Sequence, residues 1–177
     1  ILRLLNATGL DKSSLELMSG RVARSLQCDV RLETYQTDLA RVLDPARGQY
    51  HSGGLLREMQ ERFNDKSGTD ERFAALVDVD LFIPVLTFVF GEAQLGGRYA
   101  VVSTFRLKNE FYGLPADPDR LIERLEKEII HEAGHVFGLL HCRMFECVMR
   151  SSTYVEEIDL KKETFCGECN SRLVQSL

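Results

Sequence analysis

The sequence predicts an α/β fold, on three observations. Through residue 138, stretches with helical periodicity alternate with apolar, β-branched runs, the order from which layered α/β folds are built. After Gly138 the strand-like runs stop, and an irregular, mainly helical tail remains. Of 177 residues, 44 % are apolar and 28 % charged, enough for a buried core without outside staples and unlike a disordered chain. A single domain over 1–177 is expected, with an upper α/β part at 1–138 and a lower part at 139–177.

Residues 14–27 read as the first helix. Ser13 and Glu16 fit a capping box, and Leu15, Met18, Val22 and Leu26 recur at helical spacing. Residues 29–35, DVRLETY, alternate polar and apolar as a half-buried strand does. Residues 44–54, DPARGQYHSGG, form a Gly/Pro-rich loop. A second helix follows at 55–64, with Leu55, Leu56, Met59 and Phe63 on one face. The nearly continuous apolar run 74–83, AALVDVDLFI, reads as a central strand. Residues 86–90 (LTFVF) and 98–107 (RYAVVSTFRL) read as two more strands, joined by GEAQLGG, whose glycines permit a tight bend. Residues 118–138 form the clearest helix. Asp117 is its N-cap and Pro118 its first residue; Leu121, Ile122, Leu125, Ile129 and Val136 make its apolar stripe, and Gly138 ends it. A last helix is expected from 154 to about 164, with Thr153 and Glu156 as a capping box and Lys161 and Lys162 complementing the dipole at its end.

The net charge of −5 argues against nucleic-acid binding, which needs a basic stripe to displace phosphate counterions. The longest apolar run, LFIPVLTFVF (81–90), is too short for a membrane span and contains Pro84. The expectation is a monomer with neither a nucleic-acid nor a membrane partner. The sequence begins at Ile1 rather than at a methionine, so a signal peptide is not judged from it.

Three of the four histidines lie in HEAGHVFGLLHC, 131–142. His131 and His135 are four apart on the clearest helix, so their Cβ atoms are about 5–6 Å apart on one face and both rings can reach one ion. A third ligand must come from another direction. Gly138 can turn the chain, and His141 then swings back. Three neutral imidazoles leave one zinc position open, the arrangement of a catalytic site. Glu132 adjoins the site without being needed as a ligand. Zinc lowers the pKa of water to about 7, and a carboxylate beside that water can take its proton and deliver it to a leaving amine. Those are the parts needed to hydrolyse a peptide bond. His51, alone in the Gly-rich loop, reads as structural.

Four of the five cysteines cluster as C-x4-C (Cys142, Cys147) and C-x2-C (Cys166, Cys169). Two such pairs are spaced like the halves of a closed, four-cysteine structural zinc site. Two disulfides and a redox C-x-x-C are the alternatives, although a redox motif belongs at a helix start in a βαβ unit, which TFCGECNSR lacks. An odd cysteine count is awkward for a secreted disulfide framework, and a cytoplasmic setting is expected. Cys28 reads as a buried free thiol. Met149, eight residues after His141, suits a turn beneath the metal site.

Together, HEAGHVFGLLHC, RMFEC, VM and CGEC resemble the archaemetzincins, a branch of the metzincin zinc peptidases, over residues 131–169. The interval of 16 residues between Met149 and Cys166 is one shorter than the family's usual spacing. The resemblance implies His131, His135 and His141 on a catalytic zinc, Glu132 as general base, Cys142, Cys147, Cys166 and Cys169 on a second zinc, and Met149 as the Met-turn residue. It implies a metzincin-like mixed twisted sheet whose antiparallel edge strand lies within 86–97, an active-site helix, and a small irregular or helical C-terminal part. A peptide substrate would pair along that edge strand. Tyr154, five residues after Met149, is the nearest tyrosine for supporting an oxyanion. The leading expectation is a zinc metallopeptidase with two Zn2+ per chain, aminopeptidase-like on short peptides. The alternatives are a zinc-stabilised binding module with little or no hydrolysis, and a thiol redox protein using Cys166 and Cys169.

Overall fold

The computed structural model describes residues 1–63 and 70–176. Its main sheet contains β1 (Leu2–Asn6), β2 (Val30–Thr34), β5 (Arg72–Val77), β7 (Gly91–Ala93) and β8 (Tyr99–Ser103) in the order β2-β1-β5-β8-β7. The first four pair in parallel, and β7 runs antiparallel to β8 at the edge. A small second sheet joins β3 (Leu43–Asp44), β4 (Gln49–His51) and β6 (Leu81–Phe82).

Side chains alternate across the main sheet and build two cores. Leu2, Leu4, Ala74, Leu76, Ala100 and Val102 face α1 (Lys12–Leu26) and α3 (Pro118–Val136). Leu5, Phe73, Ala75, Val77, Tyr99 and Val101 face α2 (Ser52–Phe63). A sheet covered on both faces has apolar residues at successive positions, which is why 74–77 and 99–102 read as continuous runs. Below α3 lie two shorter helices, α4 (Val155–Leu160) and α5 (Gly167–Ser176).

Several boundaries differ from the expectations. Strand β1 and helix α5 were not anticipated. Helix α1 starts two residues early because Asp11, not Ser13, is its cap and accepts from the Ser14 N–H at 2.9 Å. Helix α2 starts at Ser52, with His51 Nδ1 accepting the Gly54 N–H at 3.0 Å. The expected end of this helix, residue 64, lies outside the described residues. The apolar run 74–83 breaks at Asp78–Asp80, where Asp80 takes both Arg106 nitrogens at 2.5 and 2.7 Å, and residues 81–82 pass to the small sheet. Strand 98–107 stops at Ser103, and Phe105–Leu107 coil into a 3₁₀ turn.

Residues 86–90 form a loop with one bridge, Val89 to Leu81, instead of a strand. Side chains replace the ladder there. Arg47 donates to the Leu86 and Thr87 carbonyls, both at 3.1 Å, and Gln49 donates to Thr87 at 2.9 Å. The edge strand lies within the expected window, inside the segment read as a bend. Helix α4 is shorter than expected, and Glu157 rather than Glu156 closes its start, accepting from the Thr153 and Tyr154 N–H groups at 2.6 and 3.2 Å. No helix among the described residues is long and apolar enough to cross a membrane.

Candidate functional site

Helix α3 carries His131, Glu132 and His135 and ends in a Schellman turn. The Gly138 N–H donates to His135 O and the Leu139 N–H to Gly134 O, both at 2.9 Å, and Gly138 takes φ +89°, a conformation that disfavours side chains. The turn brings His141 back over the helix. Ring centroids lie 4.7 Å (131–135), 4.8 Å (135–141) and 5.3 Å (131–141) apart. One ligand atom from each ring lies within 4.8 Å of the others.

The hydrogen bonds fix the tautomers. His131 Nδ1 lies 2.8 Å from the Val148 carbonyl and His135 Nδ1 2.7 Å from the Leu139 carbonyl. A carbonyl only accepts, so both protons sit on Nδ1 and both Nε2 atoms turn bare lone pairs inward. Those two atoms are 3.2 Å apart. Facing lone pairs at that distance repel unless a cation sits between them. Tetrahedral ligands with Zn–N bonds of about 2.0–2.1 Å would lie about 3.3–3.4 Å apart. Burial holds all three imidazoles below their usual pKa, His131 furthest, which favours the neutral form that can ligate. The donor set therefore fits zinc.

Glu132 is buried beside this cluster. Burial first, then the charge of Glu128, pushes its carboxyl well above the usual range, against the opposing effect of Lys161. A cleft of about 350 Å³ opens above it, with Phe88, Phe90 and Gly91 on one side and Ser151, Ser152 and Thr153 on the other. Two glycines missed by sequence reading shape this region. At Gly91, the first residue of β7, a Cβ would lie 2.7 Å from Glu132 Cγ and 2.8 Å from Val101 O. At Gly134, inside the helix, a Cβ would collide with Met149 Sδ, so the buried Met149 seats directly under the histidine face. The available signal was a helix-weakening glycine inside a strongly periodic helix.

The four clustered cysteines meet from two loops and the start of α5. Their sulfurs all lie within 4.8 Å of one another, with Cys142 and Cys166 at 3.7 Å. A disulfide needs about 2.03–2.05 Å, whereas two ligands of a tetrahedral site with Zn–S bonds of about 2.3 Å lie about 3.8 Å apart. Backbone N–H groups of Met144 and Cys166 donate to Cys142 Sγ (3.4 Å) and Cys147 Sγ (3.3 Å). The Cys169 N–H holds the Cys166 thiol below its usual pKa. This set also fits zinc.

The remaining candidates fall elsewhere. Tyr154 is exposed, and the cleft lining on its side ends at Thr153. His51 caps α2 and stands edge-on to Phe82 at 5.4 Å. Cys28 is half-buried against the core, and burial raises its thiol pKa.

Residues 25–175 match the sequence model of Peptidase family M54. The archaemetzincin of Methanocaldococcus jannaschii is 40 % identical over 128 residues, 72 % of this chain and 68 % of that protein. That of Haloquadratum walsbyi is 36 % identical over 150 residues, 83 % of this chain and 84 % of that protein. Among solved structures, a zinc-dependent peptidase from Methanocorpusculum labreanum superimposes with a TM-score of 0.88 at 30 % identity, over 98 % of this chain and all (100 %) of that one. The archaemetzincin of Methanopyrus kandleri superimposes at 0.82 with 34 % identity, over 99 % of this chain and 93 % of that one.

Proposed function

The chain belongs to Peptidase family M54, a zinc metallopeptidase family, and from that premise we propose how its residues divide the work of cleaving a peptide bond. His131, His135 and His141 hold one zinc in the cleft; Cys142, Cys147, Cys166 and Cys169 hold a second with no position left for substrate. The zinc in the cleft, when bound, acidifies water and polarises the carbonyl under attack. Glu132 accepts the proton of the attacking water and passes it to the departing nitrogen. Its burial beside the histidines and the fit of Gly91 against its Cγ keep the carboxylate where that proton moves. The free edge of β7 offers an extended peptide backbone partners, and Gly91 lines the cleft, which supports substrate pairing there. A cleft of about 350 Å³ suits a short peptide, and aminopeptidase-like action is the narrower form of this reading.

The observation that carries the reading is the pair of bare Nε2 atoms 3.2 Å apart beside a buried carboxylate in a cleft. A zinc-stabilised binding module has no use for that carboxylate. Glu132→Ala should lower turnover of a short-peptide library by about 10²–10⁴-fold with zinc content unchanged. Undiminished turnover in that variant would remove Glu132 from the reaction.

A further inference from the structure

Three successive carbonyls, those of Val148, Met149 and Arg150, each receive a group that lines the cleft or adjoins a residue that does. Val148 O receives the His131 ring at 2.8 Å. Met149 O receives the Cys142 N–H at 2.9 Å, tying down the loop that carries His141. Arg150 O receives the ammonium of Lys161 at 3.1 Å. The same ammonium pairs with Glu128 Oε1 at 3.1 Å, and the two side chains are only 1 % and 5 % exposed. Glu128 lies on α3 one turn before Glu132 and lines the cleft. Lys161 therefore links the segment that orients His131 to the helix that carries His131.

Stability does not account for this arrangement. A fully buried ion pair gains little over an apolar pair of the same shape, because both charges lose their hydration. Nor is the pair needed to dock α4 on α3. Arg124 already grips Asp159 with two nitrogens at 2.7 Å, and Lys127 donates to the Ile158 and Asp159 carbonyls at 3.1 and 3.3 Å. What Lys161 adds is the contact to Arg150 O, two residues beyond the carbonyl that sets the His131 ring. Fixing a register between packed elements is the best-attested use of a buried charge.

We propose that Lys161 is a positioning residue: through Arg150 O and Glu128 it locks the 148–150 segment against α3, and so holds the His131 ring at the angle its metal requires. The inference rests on the reading of His131, His135 and His141 as one metal site. Ligand-orienting contacts of this kind change metal affinity or activity by about 10–100-fold when removed.

The test is the double variant Lys161→Met/Glu128→Gln, which removes both charges at similar volume and leaves no buried ion unpaired. The control is Asp159→Asn, which loosens the α3–α4 docking without touching Arg150. Both are purified as full chains and loaded with cobalt(II), and the visible bands of the histidine site are read apart from the sulfur charge-transfer bands of the cysteine site. The double variant should shift the histidine-site bands, leave the sulfur bands unchanged, and weaken cobalt at the histidine site about 10–100-fold. On peptide substrates it should lower kcat with little change in KM, the mark of a contact felt in the transition state. Asp159→Asn should lower the melting temperature with unaltered cobalt bands. Wild-type histidine-site bands and affinity in the double variant, or equal displacement in the control, would overturn the proposal. Should the double variant not fold, Lys161→Arg moves the donor relative to Arg150 O and carries the same readouts, with a smaller shift expected and none overturning the proposal. The cobalt readout does not depend on hydrolysis. Absence of turnover in the wild-type protein would count against the peptidase mechanism and leave the Lys161 result standing.

Discussion

The two ligand clusters meet at one dipeptide, His141–Cys142, and are built by opposite means. The histidine cluster takes two donors from a regular helix and one from the loop after its Schellman turn, and carbonyls set the tautomers of the two helical rings. The cysteine cluster takes donors from loops and the first turn of α5, and backbone N–H groups support its sulfurs. The first borrows its rigidity from a fold that already buries α3 against the main sheet. The second joins the edge of the same core through short elements: α5 buries Cys169 and Leu173, and Cys147 packs beside them. On the proposed function, the first cluster is positioned by the fold, and the second, once it holds zinc, positions part of it.

Removing one proposed ligand from each cluster should give the largest and most unequal effects. Cys169→Ser should destabilise by about 5 kcal/mol or more, since metal binding at such a site is folding free energy, and lower Tm by about 10–20 °C in a chain of this size. It should also release metal from the histidines, because the Cys142 N–H to Met149 O bond ties the two clusters together. His135→Ala should abolish turnover yet move Tm by only a few degrees, about 1–2 kcal/mol in effect. Equal thermal losses, measured by circular dichroism, would erase the distinction.

Next in size is Gly134→Ala. Alanine favours a helix by about 1 kcal/mol over glycine, but the new Cβ would meet Met149 Sδ. Overpacking of this kind costs about 1–3 kcal/mol, so the urea midpoint should fall despite the better helix former. A rise would mean that Met149 is free to move aside.

Gly91→Ala should lower turnover and also cost about 1–3 kcal/mol of stability, since its Cβ meets the Val101 carbonyl as well as Glu132. Its Cβ presses on Glu132 Cγ. If Glu132 is the proposed base, displacing it by a fraction of an ångström should lower kcat by about 10-fold or more. Zinc content should be unchanged, and metal analysis beside single-turnover kinetics separates the two effects.

The same contrast explains what could be read from the sequence. Both clusters were legible because their members are close along the chain or paired at short spacing, and helix periodicity shows which donors share a face. The two-sided core was legible in the continuous runs at 74–77 and 99–102. Strand β1 was not: LRLLN is five residues, leucine-rich, and lacks the β-branched residues that mark strands. Helix α5 was hidden because its buried stripe is two residues wide. The 86–90 segment has strand composition, but distant Arg47 and Gln49 take its carbonyls. Gly91 and Gly134 matter for what lies across from them, and Lys161 for which carbonyl it reaches, so these emerge only from packing.

On the proposed function, two zinc ions sit on either side of His141–Cys142, one among imidazoles and one among thiolates. An anomalous difference map collected across the zinc absorption edge from crystals of the purified chain tests it directly. Two peaks are expected, one within bonding distance of His131, His135 and His141 and one within bonding distance of the four sulfurs. A single peak at the cysteines, or sulfurs joined as disulfides with no peak there, would contradict it.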